Sequence, residues 1–113
     1  LVVVGIQSTP TTQAAHVVFA GSAWAEKRGS MVNVKGRLQR LNKAVDAPGR
    51  ADDDWEILAA LLLAAGGRSF HDIDQVFHAL SQECEPFAGL NLDRIGDLGL
   101  PLVTKVDAAS ANA

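Results

Sequence analysis

Asn33, Gly36, Arg37 and Gln39 lie in one seven-residue stretch and are the side chains of this chain best suited to gripping a polar ligand. Carboxamides donate and accept hydrogen bonds together, and a guanidinium offers a planar fork matched to phosphate or carboxylate. A glycine between them lets the backbone approach a ligand closely. Such a set suits the pyrophosphate or ring edge of a nucleotide-like cofactor. It equally suits a hairpin whose polar residues satisfy the turn backbone and pair with Glu26 or the aspartates, and the residues alone leave both readings open.

Other groups that do chemistry are sparse. His71 and His78 are seven apart, nearly two helical turns, which is too far to share one ion, and His16 lies elsewhere. The single cysteine, Cys84, excludes an internal disulfide and any multi-cysteine zinc or iron–sulfur site; its spacing from apolar residues predicts a reduced thiol in or near the core. Ser22 follows Gly21 but lacks the Gly-x-Ser-x-Gly setting of a hydrolase nucleophile. The Asp52-Asp53-Asp54 run suggests paired carboxylates, but capping of a following helix explains it more simply. No Gly-x-Gly-x-x-Gly or Walker loop is present. The expectation is no catalytic residue and no metal site within the chain.

The elements that must position these groups are short. Residues 1–6 are apolar and rich in β-branched side chains, as in a strand covered on both faces. Thr11 or Thr12 is expected to cap a helical turn reaching Ala15, and residues 16–20 form a second strand, giving a parallel pair that needs further strands from elsewhere. Residues 21–29 read as loop with one helical turn at 23–27. Residues 30–33 and 38–45 read as hairpin arms about a turn at 34–37. Asp53 or Asp54 caps a helix over 55–65, apolar nearly all round and hence expected to be buried on most sides, which Gly66-Gly67 ends. Ser69 is expected to cap a second helix, with Asp72 completing a capping box. That helix turns Phe70, Ile73, Phe77, Leu80 and Cys84 to one face and stops at Glu85-Pro86. Asn91 caps a short helix over 92–97, and residues 105–113 have little to bury and read as a flexible tail.

At 113 residues, 48% hydrophobic and 20% charged, the chain has room for one small globular domain or a piece of a larger one. The net charge of -3 argues against a nucleic-acid surface. Lys27, Arg28, Lys35, Arg37, Arg40 and Lys43 form a locally basic stretch, read as a solvated face. The longest apolar run, residues 57–65, is about half a bilayer span, so no direct membrane insertion is expected. The chain opens without Met and directly in an apolar strand, which suggests a piece of a longer protein. An orphaned edge at residues 1–6 also predicts self-association.

Beyond these readings, the order of residues resembles the molybdopterin-oxidoreductase superfamily. The resemblance is carried by Ala15-His16-Val17-Val18, Ala25-Glu26-Lys27, Gly29, Asn33, Gly36-Arg37, Gln39, Pro48-Gly49, Ala51, Asp54-Trp55 and Ile57-Leu58. Phe87-Ala88-Gly89-Leu90 and Ile95-Gly96 extend it, so that it runs over residues 16–100. It is most similar to the C-terminal part of the large iron–sulfur subunit of bacterial NADH:quinone oxidoreductase, with the formate dehydrogenase catalytic subunit as the alternative.

The resemblance implies an α/β fragment of a molybdopterin-type domain over residues 1–104, with short parallel strands, a hairpin and two to three helices. In the first case it also implies a structural portion with no cofactor of its own, the parent's iron–sulfur clusters lying elsewhere. Its partners are then the other subunits of a respiratory complex at the cytoplasmic face of the inner membrane. In the second, Asn33, Gly36, Arg37, Gln39 and Asp54 help line a molybdopterin guanine dinucleotide cleft. Two departures favour the first: Val18-Phe19-Ala20 replaces a usual Val-Leu-Pro, and Lys35 stands where Glu is usual. Ser30 for Thr is mild.

Overall fold

A computed structural model describes residues 1–102, which form two compact units. The expected tail at 105–113 lies outside the described residues.

The first unit holds Leu1–Arg28 and Asn42–His71. Strand β1, Val2–Gly5, pairs in parallel with β2, Val17–Ala20, in the register Val2 with Val17 through Gly5 with Ala20. Between them runs one helical turn, α1, Pro10–Gln13. Its cap is Thr9 rather than Thr11 or Thr12. Pro10 has no N–H to satisfy and a preset helical φ, so it takes the first helical position and leaves the cap to the residue before it. Thr9 and Thr12 then close a reciprocal box, each hydroxyl accepting from the other's backbone N–H at 2.8 and 3.2 Å.

Residues 1–6 read as a strand covered on both faces, yet Val2 stays exposed and Val3 and Val4 are half-buried, and Val17 and Val18 of β2 are exposed too. Among the described residues this sheet has two strands and one added bridge, Gly21 to Asp52, so the pair lacks the further strands it was expected to need. The loop after β2 makes a single turn closed by Glu26 N–H on the Ala23 carbonyl at 3.0 Å.

Helix α2, Asp54–Ala64, starts behind Asp53, whose N–H donates to the Glu56 carboxylate at 3.2 Å. It ends at Ala65 and Gly66, the latter at φ +84. The expected burial on most sides is not found. Only Ile57 is buried, while Leu58, Leu61, Leu62 and Leu63 remain exposed. An all-round apolar helix needs neighbours on every side, and a two-stranded sheet supplies one.

The second unit comprises Gly29–Leu41 and, among the described residues, 72–102. Strands β3, Gly29–Val32, and β4, Arg37–Leu41, form the expected antiparallel hairpin, with Gly29 opposite Leu41 and Val32 opposite Leu38. The arm stops at Leu41, short of the expected Val45. A two-residue strand β5, Leu100–Pro101, pairs with β4 on its other edge and is too short to leave a periodic signal in sequence.

Helix α3, Ile73–Glu83, is capped by Asp72 and not Ser69. The Asp72 carboxylate accepts from Gln75 N–H at 2.7 Å, and a carboxylate suits the positive end of a helix better than a hydroxyl does. Cys84 also departs from the expected near-core position. The helix ends at Glu83 and Cys84 turns to extended backbone, so helical spacing no longer governs it and the thiol is exposed. A 3₁₀ turn, Glu85–Phe87, follows. The helix expected at 92–97 is a single 3₁₀ turn, Asp93–Ile95, with Asn91 Oδ1 accepting from Arg94 N–H at 2.8 Å.

Leu38, Phe77, Leu92 and Ile95 form the core of this unit, flanked by Ile73, Leu80, Phe87, Leu90 and Leu102. Phe77 and Phe87 meet edge to face at 6.2 Å.

Candidate functional site

Four of the five sequence-predicted site residues, Asn33, Gly36, Arg37 and Gln39, fall in the hairpin of the second unit, and Asp54 falls in the first. Each group has a geometry of its own.

The hairpin turn is built on Asn33. Its Oδ1 accepts from the backbone N–H of Lys35 at 2.9 Å and of Arg37 at 3.0 Å, the short side chain replacing a missing ladder partner. The Gly36 N–H closes on the Asn33 carbonyl at 2.9 Å, and Gly36 takes φ +71, a conformation that disfavours any side chain. Asn33 Nδ2 donates to Gln39 Oε1 at 3.3 Å. The Arg37 fork reaches away from the turn, and Nη1 donates to the carbonyls of Leu98 and Gly99 at 2.9 and 3.0 Å. This holds the chain leading into β5 against β4. Gly99 is required there, because a Cβ would run into the Leu38 carbonyl. Arg40 pairs with Asp97 at 3.1 Å along the same edge.

In the first unit a polar knot ties the end of β2 to the start of α2. The β2 strand runs on through Gly21 into a parallel bridge with Asp52, made by Ser22 N–H to the Asp52 carbonyl at 3.0 Å and Asp52 N–H to the Ala20 carbonyl at 3.1 Å. Ser22, 1% exposed, donates its hydroxyl to Asp53 Oδ1 at 2.6 Å. Lys27 donates from Nζ to the Ser22 carbonyl at 2.9 Å and forms an ion pair with Asp54 Oδ2. Gly21 is fixed by the same packing, since a Cβ there would fall 2.6 Å from Asp54 Oδ1. Asp52 and Asp53 therefore bridge and cap, as the capping reading of the aspartate run expects.

Sequence weighs Ser22 only as a nucleophile and Lys27 only within a basic stretch and the family motif, and it pairs neither with an aspartate. Nothing local marks them: Ser22 meets Asp53 across 31 residues and Lys27 meets Asp54 across 27, and only the fold brings either pair together.

Two clefts flank α2 within the first unit. One, of about 450 Å³, is lined by Phe19, Asp52, Glu56, Ile57, Ala60 and Leu61. The other, of about 350 Å³, lies along Trp55, Ala59, Leu63, Phe70 and His71. Among the described residues no cluster of His, Cys, Asp and Glu has the arrangement of a metal site, and no helix is long and apolar enough to cross a membrane.

The family model for molybdopterin oxidoreductases matches residues 1–64, which hold both parallel strands, the hairpin and α2. The chain belongs to the molybdopterin oxidoreductase family. It is 39% identical over 103 residues to the F420-dependent formate dehydrogenase 1 subunit alpha of Methanococcus maripaludis, a match covering 88% of this chain and 15% of that protein. It is 39% identical over 71 residues to the NADH-ubiquinone oxidoreductase 75 kDa subunit of Reclinomonas americana, covering 59% of this chain and 10% of that one. A 55-residue stretch is 47% identical to the NADPH-Fe(3+) oxidoreductase subunit alpha of Geobacter sulfurreducens, covering 49% of this chain and 6% of that protein. The chain thus spans about 15% of the length of the formate dehydrogenase relatives. The mixed α/β fold, with its parallel pair, antiparallel hairpin and three helices, agrees with a portion of such a domain.

The family implies a pterin cofactor, and some of the polar atoms suited to one already have internal partners. Asn33 Oδ1 and Arg37 Nη1 meet backbone groups, and the Asp54 carboxylate is engaged by Lys27. These contacts hold the hairpin turn, the approach to β5 and the start of α2.

Proposed function

We propose that this chain is a structural, non-catalytic portion of the large iron–sulfur subunit of a respiratory NADH:quinone oxidoreductase, and that it is inactive alone. The observation that carries this reading is the commitment of Asn33, Arg37 and Asp54 to internal partners. Similarity to the 75 kDa subunit of such an enzyme supports it. On this reading the parent passes electrons from NADH toward quinone through iron–sulfur clusters held in other parts of the subunit. Its partners are further subunits of the complex, at the cytoplasmic face of the inner membrane.

A second reading has its own support. The matches to formate dehydrogenase alpha subunits reach 88% of this chain against 59% for the 75 kDa subunit. They favour a molybdenum-dependent formate dehydrogenase in which this portion lines a molybdopterin guanine dinucleotide cleft.

One preparation separates the two. The full-length parent, purified with its partner subunits, is assayed for NADH-dependent quinone reduction and for formate oxidation, and analysed for molybdenum, tungsten and pterin fluorescence. NADH oxidation with neither metal nor pterin is the expected result. Stoichiometric molybdenum or tungsten together with formate oxidation would overturn the first reading in favour of the second.

A further inference from the structure

We draw no further inference here: the strongest candidate, the cleft of the first unit along α2 lined by Trp55, Leu63, Phe70 and His71, is a groove on an unpartnered helix face, and nothing in the structure shows what covers it.

Discussion

Leu38→Ala and Leu58→Ala remove the same atoms from very different surroundings. Leu38 is 1% exposed and packs in the cluster with Phe77, Leu92 and Ile95, while Leu58 is 58% exposed on α2. Truncating a fully buried leucine costs about 2–5 kcal/mol, with the upper end reached where the site cannot collapse. Leu38 sits in such a site, because its strand is held on both edges, by β3 and by β5, and the Leu38 carbonyl lies against Gly99. We expect about 3 kcal/mol or more for Leu38→Ala. Leu58→Ala should stay within about 0.5 kcal/mol in this chain. Both tryptophans, Trp24 and Trp55, lie in the first unit, so their fluorescence does not report on the second. The assay is urea titration with amide exchange read separately over Ile73–Glu83 and over Asp54–Ala64. Leu38→Ala should collapse protection in the first of these segments. Comparable losses from the two substitutions would refute the assignment of the core to the second unit and of α2 to the surface.

Further expectations follow from single contacts. Ser22→Ala leaves Asp53 Oδ1 without its buried donor and should lower the urea midpoint read by tryptophan fluorescence by an amount equivalent to about 1–2 kcal/mol. Asn33→Ala removes an acceptor from two turn N–H groups, and a thermal melt should show a loss of about 1 kcal/mol, whereas Asn33→Asp, which keeps the acceptor, should retain most of it. Gly36→Ala, forced to φ +71, should cost about 1 kcal/mol in the same melt, and Gly36→Asn less. The hydrogen bond from Lys43 to Asp46, with the attraction of that carboxylate, raises the Lys43 pKa above its ordinary 10.5. A raised lysine pKa contributes its stabilisation below the unfolded value and loses it as pH climbs through the folded one, so on the lysine side this contact is intact at neutral pH and is lost in strong alkali. An NMR titration of the Lys43 ammonium should show that rise, and Asp46→Asn should remove most of it, leaving the weaker attraction of Asp53 and Glu26.

What sequence made legible was local. The parallel strands, the hairpin about Gly36 and the α2 start at Asp53 each announce themselves through β-branched runs, a turn glycine or a capping aspartate within a few residues. The misplaced boundaries came from competition between neighbouring caps. Pro10 decided for Thr9, and the carboxylate of Asp72 displaced the hydroxyl of Ser69. Cys84 was misplaced because helical periodicity was extended one residue past the last helical residue. The polar knot of Ser22, Lys27, Asp53 and Asp54 was illegible for a different reason: its pairs are 27 and 31 residues apart in the chain, and no periodicity spans that distance. For Asn33 and Arg37, sequence gave residue types suited to a ligand or to a turn. Only the donor–acceptor geometry shows how much of each side chain the backbone already uses.

The two units also differ in how their apolar residues are used, and the difference bears on what the sequence was selected for. The second unit closes its own core around Leu38, Phe77, Leu92 and Ile95. The first carries as apolar a helix as the chain contains, yet among its large hydrophobic side chains only Ile57 is buried. Exposed leucines add nothing to the stability of the chain as it stands and raise its tendency to associate, so self-packing does not explain them. The family match falls on residues 1–64, the stretch that contains α2 and both parallel strands. The unsatisfied apolar surface of α2 therefore lies within the stretch that carries the family match, not in the self-contained core of the second unit.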